Sequence, residues 1–244
     1  MILRCPSGIG GQSFFQKNAG PTVPRGIGTV KIPDEKRGGP DSTYLTLESA
    51  EGLVQLVQLG VVEIHVWGSR ARTLEKPDRI VFDLDPDPTV PWKKVVEGAL
   101  RVRAALEGLQ LKTFLKTTGG KGLHVVAPLE PQLRWAEIKE LTHQVSLAVV
   151  QSDPKGFTAN MAKAKRGGKI FLDYLRNGRG ATWVAPYSAR AREGAGVSMP
   201  IEWSALAKVD PAKFNVPALL RATKLPADAW KTIDSVKQRL RGGR

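Results

Sequence analysis

Apolar positions recur with two periods along this chain, and the two predict different elements. Residues 48–59 (ESAEGLVQLVQL) place Leu53, Leu56 and Val57 at helical spacing, and Gly60 follows as a C-terminal stop. Residues 61–67 (VVEIHVW) and 78–85 (DRIVFDLD) read as strands, the second ended by Pro86. Pro91 opens a predicted helix over 92–106, with Val95, Ala99, Val102 and Leu106 on its buried face. A short strand over 111–116 leads into a glycine-rich turn at 118–122, and 123–128 is a further strand. Residues 135–150 predict a helix with Trp135, Ile138, Leu141, Val145 and Val149 inward, leaving His143 on the surface. Residues 169–175 (KIFLDYL) and 181–187 (ATWVAPY) predict two more strands, and the last forty residues short helices with a frayed end. The first 42 residues hold few periodic apolar positions and read as loops with short extended pieces near 13–17.

This alternation argues α/β or α+β, and the order over 79–175 matches a split βαβ unit. No internal repeat is found. A single domain over 1–244 is expected, divided into an N-terminal region (1–60), a core (61–206) and a helical basic tail (207–244). The start in mid-motif suggests an N-terminally shortened chain.

Composition narrows the chemistry. Lys and Arg number 37 against 23 Asp and Glu, a formal charge of +14, which favours a polyanionic partner. One cysteine, Cys5, excludes an internal disulfide and a Cys-based zinc site. The N-terminus has no apolar signal region, and no apolar run is long enough to cross a membrane. A cytoplasmic location is expected.

Asp83 and Asp85 lie two apart on a predicted strand, so both point to one face while Ile80, Phe82 and Leu84 point to the other. Two carboxylates aimed into one space repel, and a divalent cation with hard oxygen ligands relieves that repulsion. Asp173 sits inside an apolar strand, where an ionised carboxylate needs a partner. Three such carboxylates with a phosphate substrate would form a two-metal nucleotidyl-transfer site; the plain alternative is a strand-ending aspartate paired with Arg79. An EF-hand loop starting at Asp83 fails, because Pro88 and Lys94 occupy its glycine and glutamate positions.

Residues 116–124 (KTTGGKGLH) combine a hydroxyl, three glycines, Lys121 and His124, a phosphate-cradle composition as well as that of an ordinary hairpin. It is not a Walker A loop, since Gly122 replaces the hydroxyl residue and a strand follows. His65 shares a strand face with Val61, Glu63 and Trp67 and reaches either a site or a core. Residues 161–192 carry eight basic residues (Lys163, Lys165, Arg166, Lys169, Arg176, Arg179, Arg190 and Arg192) against Asp173 alone. Among them Arg190 and Arg192 could clamp phosphates. Phe14 and Phe15, with Lys17, offer a base-stacking surface and a phosphate contact.

The segments DRIVFDLDPD, KTTGGKGLH and KIFLDYLRNGRGATWVAPYSARAREGA, in that order, resemble the polymerase domain of bacterial ligase D, of the archaeo-eukaryotic primase superfamily. The resemblance runs from SFFQK to IEWSAL. It implies an RRM-like split βαβ sheet packed beside a second small sheet. It implies a primase-polymerase that adds NTPs or dNTPs to DNA ends and gaps in non-homologous end joining. Expected partners are Ku and a DNA ligase, the expected cofactors two manganese or magnesium ions, and the expected state a monomer. Asp83, Asp85 and Asp173 match the family's metal-binding carboxylates. Thr118 (with Gly119 of the same turn), Lys121, His124 and Arg190 match triphosphate contacts. His65 and Arg192 match positions important for activity, and Phe14, Phe15 and Lys17 match the template and DNA-end region. Thr118 stands where the family usually has serine, and Asn18 where it usually has histidine. The family's N-terminal stretch, which helps hold a 5′-phosphate, has no counterpart here, nor have ligase or nuclease segments. An isolated domain or stand-alone protein is the corresponding expectation. A non-catalytic DNA-end-binding module and a metal-dependent DxD phosphatase are the two alternatives from other classes.

Overall fold

The computed structural model of the chain describes residues 1–33 and 40–240. The strands of its first part are β1 (Ile2–Arg4), β2 (Phe14–Gln16), β3 (Ile27–Ile32) and β4 (Ser42–Leu47), followed by α1 (Ala50–Gln58) and β5 (Val61–Val66). The central part runs β6 (Arg79–Pro86), α2 (Trp92–Gly108), β7 (Phe114–Thr117), β8 (Leu123–Pro128), α3 (Trp135–Ser152), β9 (Phe157–Thr158) and β10 (Ile170–Asp173). β11 (Trp183–Val184), β12 (Pro200–Ile201) and α4 (Val216–Arg221) follow, with several 3₁₀ turns between them.

The main sheet has the strand order β12-β7-β8-β6-β10-β9. Its four central strands pair antiparallel, so β6-α2-β7 and β8-α3-β10 are the two interleaved halves of a split βαβ unit, as the sequence predicts. Both long helices contribute to one apolar core. Ile80, Phe82 and Leu84 of β6, all fully buried, meet Val95, Ala99, Val102 and Leu106 of α2 there. Burying each of these large side chains is worth about 1.5–3 kcal/mol. Gly98 permits the close approach, since a Cβ there would stand 3.0 Å from Phe157 and 3.2 Å from Leu84.

The opposite face of the main sheet is half apolar and half polar. A second cluster of Val81, Phe114, Val126 and Trp183 is covered by Trp230 and Ile233 from the C-terminal segment, whose indole donates to the Leu115 carbonyl at 2.9 Å. The rest of that face opens towards a smaller sheet of order β11-β5-β1-β2, and β3 and β4 form a separate hairpin.

Three expectations need correction. The N-terminal region holds more than loops and the extended piece expected near 13–17, which is β2: β1 occupies an interior slot of the small sheet, between β5 and β2, and β3 pairs with β4 over six residues. On α3 the buried positions after Ile138 are Thr142 and Ser146, while Leu141 and Val145 are half-buried. Thr142 tolerates burial because its hydroxyl donates to the Ile138 carbonyl at 2.9 Å. His143 is also half-buried, stacked on Tyr174 with ring centroids 4.3 Å apart. The final residues of the tail expected to fray, 241–244, lie outside the described residues.

Candidate active site

Strand alternation sends Val81, Asp83 and Asp85 of β6 to the face away from the helices. Cross-strand register then builds a polar row. Asp173 of β10 lies directly opposite Asp83, His124 of β8 opposite Asp83 on the other side, and Lys116 of β7 opposite His124. His124 Nε2 is 3.3 Å from Asp83 Oδ1. Arg176 Nε lies 3.4 Å from Asp83 Oδ2 and 3.1 Å from Asp173 Oδ2, so the two carboxylates converge on one cation position. Asp85 shares the face but turns to Arg166, at 3.2 Å, whose guanidinium is stacked 3.7 Å from the Phe171 ring centroid.

These neighbours set the charges. Burial opposes ionisation of Asp83, but His124, Arg176 and Lys116 outweigh it and hold the carboxyl at about 2. Burial, and the charge of Asp83 beside them, push Asp85 and Asp173 upwards, against the pull of Arg166 and Arg176. Burial and the nearby Lys116 lower His124 to about 4, leaving it neutral at pH 7. Lys116 is fully buried and lies well below the usual lysine range for the same desolvation reason; its Nζ donates to Ser198 Oγ at 2.5 Å.

The glycine turn borders this row. It is closed by the Thr118 N–H donating to the Gly122 carbonyl at 3.2 Å, with the Thr118 hydroxyl on the same carbonyl. Gly119 has φ +68°, and a Cβ there would stand 2.6 Å from Arg190 Cγ. At Gly122 a Cβ would stand 2.4 Å from the Leu84 carbonyl oxygen, so the turn packs directly on the strand that carries Asp83 and Asp85. Arg190 donates to the Thr118 carbonyl at 2.8 Å, and the Arg192 guanidinium faces Gly120.

Glu63 ties the small sheet to this assembly. Its buried carboxylate lies 2.7 Å from His65 Nε2 and 3.1 Å from Arg190 Nε, and accepts the Ala191 N–H at 2.8 Å. Burial works against its charge, but His65, the Ala191 N–H and Arg190 prevail and hold it at about 2.

A cleft of about 750 Å³ joins these groups. Asp83, Asp85, His65, His124, the turn from Thr118 to Gly122, Arg190 and Arg192 all line it, Lys121 as an exposed side chain. Phe15 also lines it, exposed and edge-on to His65 at 6.0 Å. Phe14 is exposed on the same strand beneath the Arg4 guanidinium, and Lys17 is exposed one residue beyond it; neither borders the cleft. Eleven of the thirteen predicted residues are therefore united around one face and its rim, with Phe14 and Lys17 apart.

Among the described residues no three His, Cys, Asp or Glu side chains are already gathered around one ion position. The donor set nevertheless suits a hard divalent cation. Two carboxylates from paired strands already share one positive group, a third lies one pleat along, and burial together with the Asp83 charge raises the other two.

Glu63, Lys116, Arg166, Arg176 and Asn177 join the site without having been singled out for it. Glu63 is legible in retrospect, two residues before His65 on one strand face. Arg166 and Arg176 appear in sequence only as part of a basic run; their pairing with particular aspartates is a product of folding.

The model of the family described as LigD, primase-polymerase domain, matches residues 1–230. The chain is 42% identical over 242 residues to the multifunctional non-homologous end joining protein LigD of Pseudomonas aeruginosa, covering 98% of this chain and 28% of that protein. It is 35% identical over 206 residues to the protein of the same description from Mycolicibacterium smegmatis, covering 84% of this chain and 27% of that one. The solved polymerase domain from Mycobacterium tuberculosis ligase D in complex with DNA superposes with a TM-score of 0.82 at 29% identity, covering 96% of this chain and 83% of that one. The chain thus spans between a quarter and a third of the length of these two curated relatives.

Proposed function

The chain belongs to the LigD primase-polymerase domain family, and from that premise we propose that it is a nucleotidyltransferase. It would add NTPs or dNTPs to DNA 3′ ends, directed by a template, in double-strand break repair by non-homologous end joining. The supporting observation is the cleft lined by Asp83, the glycine turn and Arg190, with Asp173 directly opposite Asp83 on the neighbouring strand and sharing Arg176 with it.

Asp83, Asp85 and Asp173 would hold two divalent ions, manganese or magnesium. Such ions supply a lowered pKa at the primer 3′-hydroxyl and charge compensation on the attacking and leaving oxygens. The backbone N–H groups around Gly119, with Thr118, Lys121, His124 and Arg190, would bind the triphosphate and offset the charge that develops on leaving pyrophosphate. His124, neutral at pH 7, would offer a hydrogen bond instead of a full charge. Glu63 orients both His65 and Arg190. Arg192 extends the phosphate-facing rim, and Phe14, Phe15 and Lys17 would meet the DNA by stacking and phosphate contact. The full-length relatives' description as end-joining proteins favours DNA ends, Ku and a ligase activity as partners.

Primer extension on gapped DNA with manganese and NTPs tests this reading. The wild-type chain should extend, and Asp83→Ala should not, while retaining most of its DNA affinity because the basic surface supplies the binding. DNA binding without extension by the wild type would favour a non-catalytic end-binding module. Phosphate release from a phosphomonoester, without pyrophosphate from NTPs, would favour the phosphatase.

A further inference from the structure

Arg176 has a placement that the catalytic reading leaves unused. Its Nε touches an oxygen of Asp83 and an oxygen of Asp173, and its NH1 lies 3.3 Å from the Thr182 carbonyl. The backbone that presents it is fixed from both sides. Asp173 caps the following 3₁₀ turn by accepting the Leu175 N–H at 3.1 Å. Asn177, buried at the end of that turn, takes the Val81 N–H at 2.8 Å and donates to the Val81 carbonyl at 2.7 Å, copying a strand partner along β6. The turn is thereby locked to the strand that carries Asp83, and residue 176 is held above the pair.

We infer that Arg176 is the resident counter-cation of the carboxylate pair: it holds Asp83 and Asp173 converged without metal, and must leave them when a divalent ion binds. The two occupants exclude each other, because both need the same Asp83 and Asp173 oxygens. Arg176 is 42% exposed at its side chain, so it has an open path into the cleft that it borders. A guanidinium freed there keeps the planar fork that suits phosphate oxygens. The inference rests on the reading of Asp83 and Asp173 as metal ligands, but its test uses neither DNA nor nucleotide, so its failure leaves the extension experiment untouched.

The test is manganese binding to the nucleotide-free protein, followed by electron paramagnetic resonance of free Mn²⁺, in wild type, Arg176→Gln and Arg176→Lys. Arg176→Gln should bind Mn²⁺ more tightly, on the order of tenfold, because no positive group then competes for the oxygens. Its metal-free melting temperature should be lower than wild type, and its rise in melting temperature on adding Mn²⁺ larger. Arg176→Lys, which keeps the charge as a single point donor, should fall between, and it carries the test alone if the glutamine variant does not fold. Mn²⁺ affinity equal to or weaker than wild type in the folded variants would overturn the inference.

Discussion

Glu63→Gln removes one charge while preserving side-chain shape, and the structure sets the size of the effect. In the folded chain the carboxylate faces His65 at 2.7 Å, Arg190 at 3.1 Å and the Ala191 N–H at 2.8 Å. These partners bring its pKa from 4.5 to about 2 despite the opposing cost of burial. At 1.36 kcal/mol per pH unit that gap corresponds to about 3 kcal/mol favouring the ionised, folded form. A depressed carboxylate pKa stabilises above the unfolded value and loses that stability as pH falls through the folded one. The wild-type contribution should therefore be complete above pH 4.5 and drain away towards pH 2. A glutamine recovers part of the hydrogen bonding, so the expected net loss at pH 7 is about 2 kcal/mol, or roughly 4–8 °C in melting temperature. Urea unfolding followed by circular dichroism at pH 7, 4.5 and 3 measures it, with the difference between the two proteins shrinking as the solution is acidified. Parallel stability–pH curves would refute the reasoning. Because Glu63 also holds Arg190, the variant's KM for NTP should rise more than its kcat falls.

Gly119→Ala should raise the KM for NTP and cost more than about 1 kcal/mol of stability, since φ is +68° and the new Cβ would stand 2.6 Å from Arg190 Cγ and 3.1 Å from the Gly196 carbonyl oxygen; steady-state extension kinetics check it. Leu84→Ala, at a fully buried position between the two aspartates, should destabilise by about 2–5 kcal/mol in chemical denaturation. DNA affinity should weaken at least about tenfold between roughly 50 and 200 mM salt, measured by fluorescence anisotropy, and a flat response would argue against phosphate-led binding.

The four central strands of the main sheet are legible because two distinct helices link them and because β6 alternates apolar and acidic positions from Phe82 to Asp85, whereas β9 and β12, two residues each, carry no such signal. That alternation also places Asp83 and Asp85 on one face. The small sheet was less legible. β1 is three residues long, too short to display a period, and it is held by pairing with β5 and β2 instead of by local preference. β11 shortened to Trp183–Val184 for the opposite reason: seven strand-like residues found a partner strand for only two. On α3 the apolar pattern names Leu141 and Val145, whereas the buried positions are the smaller residues Thr142 and Ser146.

At the site, sequence supplied the residue types and folding supplied the partners. Asp173 in its apolar strand needs a partner, and Arg176 supplies one from the next turn of the chain. Lys116 illustrates the limit. It precedes the glycine turn as one more basic residue, and only the register of β7 against β8 shows it buried beside His124. Arg79, the plain alternative partner for a strand aspartate, instead pairs with Asp234 at 2.7 Å, and the cationic partners of the three aspartates are Arg176 and Arg166.

Anomalous diffraction at the manganese edge, from crystals of the chain soaked with Mn²⁺ and a non-hydrolysable NTP, interrogates the cleft directly. The account predicts metal peaks between Asp83, Asp85 and Asp173, with the triphosphate lying on the glycine turn against Arg190. Manganese bound elsewhere, or a nucleotide seated away from that turn, would contradict it.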